Sequence, residues 1–198
     1  MRLFLAIDLP EPVKEQLSQR ARASRSSLPK ARWVRQETMH ITLAFLGETP
    51  LDQVDAVHRA LIPVCATWPR MRGRLGGGGA FPPRGRASVL WSSVEVVGDL
   101  VGLHRDLEQA LSSIDDGAVY RPEKRAFTPH VTQVRARPPW KRADADRWIE
   151  AFGQSDLEFP IDAVTLFESQ LSPSGPRYTV RAEYPLARKG DESALSIQ

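Results

Sequence analysis

The segment Met39-His40-Ile41-Thr42-Leu43 recurs in pattern ninety positions later as Pro129-His130-Val131-Thr132-Gln133, and no other feature constrains the fold as much. Each copy has the alternation of a strand with one buried face and precedes a stretch of helical periodicity. In a strand, residues i and i+2 point the same way. His40 and Thr42 therefore share a face, with Ile41 and Leu43 opposite, and His130 and Thr132 repeat this with Val131 behind them. Two such strands, related by an approximate twofold between lobes, would present two imidazoles and two hydroxyls to one cleft.

Around this pair the elements are interspersed. Arg2 to Asp8 reads as a strand, and Pro10 with Pro12 opens a helix through about Ala23. Trp33-Val34 is a short strand, and His40 to Leu46 a longer one ended by Gly47. Leu51 to Val64 and Leu100 to Ile114 carry apolar residues at helical spacing. Arg70 to Arg74 and Ala87 to Val97 are expected as strands around a Gly- and Pro-rich loop, residues 76–85. His130 to Val134, Leu157 to Phe167 and Arg177 to Tyr184 read as strands, and Ala143 to Phe152 as a short helix. Without a regular βαβ repeat, the pattern favours an α+β fold over a doubly wound parallel sheet. Residues 1–187 are expected to form one bilobal domain, and residues 188–198 a polar, mobile tail.

The bulk numbers narrow the class. At 198 residues, 41% hydrophobic and 26% charged, the chain can bury a real core. No apolar run is long enough to cross a bilayer, and Asp8 interrupts the apolar N-terminus before it could serve as a signal peptide. The single cysteine, Cys65, allows no intramolecular disulfide and no cysteine metal cluster. A cytoplasmic monomer is the expectation. The net charge of +3 is modest, but its distribution is uneven. Residues 16–36 hold Arg20, Arg22, Arg25, Lys30, Arg32 and Arg35 and no acid; residues 56–94 also lack acids while Arg70, Arg72, Arg74, Arg84 and Arg86 accumulate. Such asymmetry suits a face that attracts phosphates, although arginines also populate ordinary solvated surface.

Two imidazoles suit a phosphodiester. With an unperturbed pKa near 6.5, one can be neutral while the other is protonated around neutral pH. The neutral one takes a proton from attacking water and the charged one protonates the departing ribose oxygen. Thr42 and Thr132 can donate to the non-bridging phosphate oxygens as charge builds there. A lone His-x-Thr triplet is a weak signal; the duplicated pair is a strong one. His58 and His104 fall within helical segments, as packing or surface residues. The run Gly76-Gly77-Gly78-Gly79 is not a P-loop, since no Lys-Ser/Thr follows it. No His-x-x-x-His or Cys-x-x-Cys spacing points to zinc, and neither metal nor cofactor is expected.

Several stretches together match a known family: Arg2-Leu3-Phe4-Leu5-Ala6-Ile7-Asp8-Leu9-Pro10, Arg32-Trp33-Val34, His40-Ile41-Thr42-Leu43-Ala44-Phe45-Leu46-Gly47, Gly79-Ala80-Phe81-Pro82, Val89-Leu90-Trp91, Phe127-Thr128-Pro129-His130-Val131-Thr132 and the segment from Leu171 to Tyr178. In this order they resemble the bacterial and archaeal RNA 2′,3′-cyclic phosphodiesterases, long called 2′-5′ RNA ligases, of the 2H phosphoesterase superfamily. The resemblance implies a bilobal fold of two pseudo-symmetric antiparallel lobes, with outer helices around a central cleft. It implies metal-free hydrolysis of an RNA terminal 2′,3′-cyclic phosphate to a 2′-phosphomonoester. His40 would be the proton donor to the 3′-oxygen and His130 the proton acceptor from water. Arg135 would bind phosphate beside Thr42 and Thr132, and Phe45 would stack on the terminal base. Gln133-Val134 and Ala44 depart from the family's commoner Leu-Ala and Lys, and both changes are expected away from the cleft. Reversible 2′-5′ ligation, hydrolysis of a small cyclic phosphate, and RNA binding without catalysis are the rival readings.

Overall fold

The computed structural model describes residues 1–153, 155–173 and 175–188. The expected tail, apart from Arg188, lies outside the described residues. Among the described residues, nine strands and four helices follow one another as β1 (Arg2–Asp8), α1 (Glu11–Arg25), β2 (Arg32–Trp33), β3 (His40–Glu48), α2 (Val54–Thr67), β4 (Met71–Phe81), β5 (Ala87–Val97), α3 (Leu100–Ser112), β6 (His130–Trp140), α4 (Arg142–Phe152), β7 (Glu158–Ile161), β8 (Ala163–Gln170) and β9 (Arg177–Pro185). The strands form one sheet in the order β7-β4-β5-β6-β3-β1-β8-β9, with β2 added to β6. No helix among the described residues is long and apolar enough to cross a membrane.

The α+β expectation holds, and so does its division into halves. Strands β3, β1, β8 and β9 form one half, with α2 and α3 packed on each other and against β9 and β3. Strands β7, β4, β5 and β6 form the other, with α4 against β4 and β5 and α1 against α4. One face of the sheet and the apolar faces of the helices enclose the main core, which includes Leu5, Ile7, Leu17, Ile41, Leu61, Leu107, Val131 and Trp148. A smaller cluster, Phe4, Ala6 and Phe167 with Tyr178 against it, lies on the other face of β1 and β8.

Two expectations are corrected. The segment read as one strand from Leu157 to Phe167 is two, broken at Asp162. β7 pairs with β4 at one edge of the sheet, while β8 pairs with β1 and β9 near the other. One residue bridges them, so the sheet curls back until its two ends are neighbours, and the bridge between Pro69 and Ala187 ties the same seam. The other correction concerns the glycine run, which is strand: β4 passes straight through residues 76–79. At Gly78 and Gly79 glycine is required by close approach. A Cβ on Gly78 would come within 3.0 Å of the Ile149 Cα and the Phe152 Cβ of α4. One on Gly79 would fall 2.2 Å from the Trp91 indole. Composition reads as loop because the neighbours that cover a bare backbone are distant in sequence.

Gly77→Ala, whose Cβ would meet nothing within 4 Å, is expected to leave thermal stability unchanged or slightly raised. Gly78→Ala should cost about 1–3 kcal/mol by overpacking against helix backbone, measured by urea unfolding of the two variants side by side.

Candidate active site

The two His-x-Thr strands meet at a single register pair, Ile41 opposite Val131. Both side chains are fully buried. Antiparallel register then places His40 beside Thr132 and Thr42 beside His130 on the opposite face. A local twofold through the Ile41·Val131 pair exchanges the two motifs.

The same twofold relates two β-bulges. Thr42 pairs with Ala6 but Ala44 with Leu5, so Leu43 is an extra residue in β3. Thr132 pairs with Trp91 but Val134 with Leu90, so Gln133 is the extra residue in β6. Each bulge lies three positions after its histidine and reverses the alternation beyond it. Strict alternation would send positions 45 and 135 to the core; the bulges return Phe45 and Arg135 to the side of the histidines. Both are exposed, and both line a cleft of ≈ 390 Å³ with Thr42, Phe81, His130 and Thr132. Ala44 and Gln133 are buried at the core, as expected. At Ala44, which strict alternation would put beside His40, the bulge is the reason. Gln133 reaches the Val131 carbonyl from its Nε2, and its Oε1 has no partner. Gly47 does not end β3; with φ +74° it stays within the strand at a second register shift.

Both imidazoles are fixed in the same tautomer. His40 Nδ1 donates to the Thr38 carbonyl at 2.8 Å and His130 Nδ1 to the Thr128 carbonyl at 2.7 Å. A carbonyl only accepts, so Nδ1 carries the proton and Nε2 is left as the ring's acceptor. In the neutral state the Thr42 hydroxyl donates to His40 Nε2 at 3.0 Å, whereas His130 Nε2 has no protein partner among the described residues.

Aromatic rings back each histidine. Phe4 lies 4.9 Å from His40 and Tyr178 5.4 Å, edge-on, while Phe81 and Trp91 stand 5.2 and 5.6 Å from His130. These rings remove water from the imidazoles, and that desolvation disfavours the charged form. It pushes His40 down to about 4, against opposing contributions from the Thr38 carbonyl and Asp8. His130 is also lowered, by desolvation first and then by the guanidinium of Arg135. Arg135 acts on both imidazoles and has no carboxylate partner among the described residues. Asp8, paired with His40 across β1 and β3, is held by Lys14 at 2.9 Å.

Five of the six residues expected from the sequence, Thr42, Phe45, His130, Thr132 and Arg135, line the cleft, and His40 lies behind it, joined to Thr42 by a hydrogen bond. The structure adds others that had no role in that expectation. His104 lines the cleft, its ring stacked 4.0 Å from Phe127 and facing the Leu43 carbonyl, so it braces the bulge of β3 against the loop before His130. Helical periodicity holds no sign of this, since the contact depends on where α3 docks. Phe81 and Tyr178 stand in the family-like stretches but their place beside the histidines follows only from strand pairing. His58 is a satisfied packing residue, its Nδ1 at 2.7 Å from the Tyr184 hydroxyl. Among the described residues no group of three or more His, Cys, Asp or Glu could hold a metal ion.

A family model described as the 2′-5′ RNA ligase superfamily matches residues 9–172. The chain belongs to that superfamily. It is 34% identical over 195 residues to an RNA 2′,3′-cyclic phosphodiesterase of Thermus thermophilus, covering 94% of this chain and 90% of that one. A Thermotoga maritima protein of the same name is 31% identical over 188 residues, covering 92% and 94%. Among solved structures, TT0787 of Thermus thermophilus superposes with a TM-score of 0.80 at 28% identity, over 96% of this chain and all of that one. E. coli LigT, at 24% identity and a TM-score of 0.68, shares the fold over 94% of this chain and 97% of its own.

Burial of His40 sets a pH dependence that any member of the superfamily with this packing would share. Its pKa is 6.5 unfolded and about 4 folded, so the unfolded chain binds the proton more readily between those values. The stability His40 contributes is fully present above pH 6.5 and is lost as pH falls through 4. Urea unfolding at pH 7 and pH 4 should show the wild type losing about 2–3 kcal/mol more than His40→Gln.

Proposed function

We propose that this protein hydrolyses an RNA terminal 2′,3′-cyclic phosphate to a 2′-phosphomonoester by general acid–base catalysis between His40 and His130. The observation that carries the reading is the pair of His-x-Thr strands joined at Ile41·Val131, with both imidazole tautomers fixed by a main-chain carbonyl, His130 lining the cleft and His40 joined to it through the cleft residue Thr42. The relatives named RNA 2′,3′-cyclic phosphodiesterase support the choice of substrate. His130 Nε2 takes a proton from water as its oxygen bonds to phosphorus. The bond from phosphorus to the 3′-oxygen breaks, and His40 Nε2 gives its proton to that oxygen. The Thr42 and Thr132 hydroxyls and the Arg135 guanidinium stabilise the charge on the non-bridging oxygens. Phe45, 57% exposed at the cleft, offers a ring on which the terminal base stacks.

A donor whose pKa is about 4 in the free protein needs help to be charged near neutral pH. Raising it to about 7 takes about 4 kcal/mol. A phosphodiester anion about 4 Å away supplies about that much at an effective dielectric of 20. Substrate therefore arms its own acid. As kcat/KM follows the free enzyme and kcat the complex, kcat/KM should peak at a lower pH than kcat.

The direct test is a defined oligonucleotide with a 2′,3′-cyclic end, incubated in chelator, with the product identified. A 2′-phosphate is expected. A requirement for added metal, or a 3′-phosphate product, would contradict the mechanism. His40→Ala and His130→Ala should each lower kcat by about 10²–10⁴-fold, and a fully active double variant would sink the reading. A 5′-hydroxyl RNA end offered in place of water tests the reverse, ligase direction.

A further inference from the structure

A groove of ≈ 640 Å³ lies apart from the histidines, between the C-terminal half of α1 and the β2 segment that follows it. Arg22, Arg25, Arg32, Trp33 and Arg35 line it, from the acid-free stretch of the sequence. Two acids also line it, Glu11 and Glu37, and Glu37 pairs with Arg35 at 3.2 Å. Arg22, Arg25 and Arg32 have no carboxylate partner among the described residues. Arg25 instead lies over the Trp33 ring, 5.6 Å from its centroid. The last turn of a helix favours Arg22 and Arg25 electrostatically, but that does not account for Arg32.

Arg32 pairs with Arg135 across β2 and β6. Like charges directly opposite in a sheet are destabilising, and here no carboxylate offsets them. Arg32 lines the groove and Arg135 lines the cleft, so this pair is the rim the two depressions share. Arg2 and Arg35 add to the same field, which reaches Tyr178 beside His40. Phe45 and Arg135 lie on opposite sides of the histidine pair, related by the local twofold. Across the cleft from Phe45, the Arg135–Arg32 pair is the positively charged edge nearest the groove.

We infer that the sugar–phosphate backbone upstream of the reacting end leaves the cleft over the Arg135–Arg32 rim and runs along the groove of Arg22, Arg25 and Trp33. The groove thereby adds affinity for an upstream strand that a free cyclic nucleotide cannot draw on. This builds on the cyclic phosphodiesterase reading, and the test separates the two.

The substrates are a nucleoside 2′,3′-cyclic phosphate and an RNA of about ten nucleotides ending in the same nucleotide. Wild type should show a higher kcat/KM on the RNA, falling with salt as backbone contacts are screened. Arg22→Glu with Arg25→Glu should lower kcat/KM on the RNA by about tenfold or more and flatten its salt dependence by about one to two in log–log slope. Activity on the mononucleotide should not change, which also reports that the variant is folded; Arg22→Gln with Arg25→Gln should show the same selectivity more weakly. Equal losses on both substrates, or none on either, would overturn the groove. Binding of the same RNA with a plain 3′-hydroxyl, followed by fluorescence anisotropy, reads the groove without catalysis. Salt-sensitive binding lost in the double variant supports it even if no cyclic phosphate is hydrolysed, a result that would strike the proposed activity alone. Binding unaffected by charge reversal would place a different partner, such as an acidic protein segment, or none in the groove.

Discussion

One backbone pairing, Ile41 with Val131, makes two half-sheets into one. Everything at the site is measured from it. The histidines flank it diagonally, the threonines complete the diagonal, and the two bulges stand equal distances beyond. A shift of one residue between β3 and β6 would turn every one of those groups to the core, which is why both side chains of the joint are apolar and fully buried. The register is enforced from the core face, where a misplaced imidazole would find no partner.

Burial and charge then divide the work on the cleft face. Phe4, Phe167 and Tyr178 on one side and Phe81 and Trp91 on the other remove water around the imidazoles. Their effect alone would leave both rings neutral at physiological pH. Arg135 reinforces it, and on the proposed reading the same guanidinium attracts the anion that reverses the balance at His40. On that reading, a low proton affinity without substrate and a normal one with it are two states of the same desolvated pocket.

Much of this was legible in the sequence because it is periodic. The duplicated alternation exposed both motif strands, and 3.6-residue spacing exposed α2 and α3 with errors of a few residues at their ends. Periodicity fails where the cause is a distant neighbour. The glycines of β4 look like loop until Trp91 and α4 are seen to need the space. Residues 157–167 look like one strand because Asp162 breaks the run without altering its apolar character. Family resemblance named Phe45 and Arg135, but alternation put them on the wrong face; only the bulges reconcile the two. His104 was given a bland role for want of any local signal.

The helices carry a consequence for how the chain is made. α1 follows β1 of one half yet packs on α4 of the other, and α3 follows β5 of the second half yet packs on α2 of the first. β2 has no partner until β6 exists, and β1 lacks its second neighbour until β8 does. An emerging N-terminal half holds the β1–β3 and β4–β5 pairs but lacks β6, β8 and the helices α3 and α4 that cover them. Folding to completion must therefore wait for almost the whole polypeptide to leave the ribosome, and the pair of histidines is assembled in one event rather than one motif at a time.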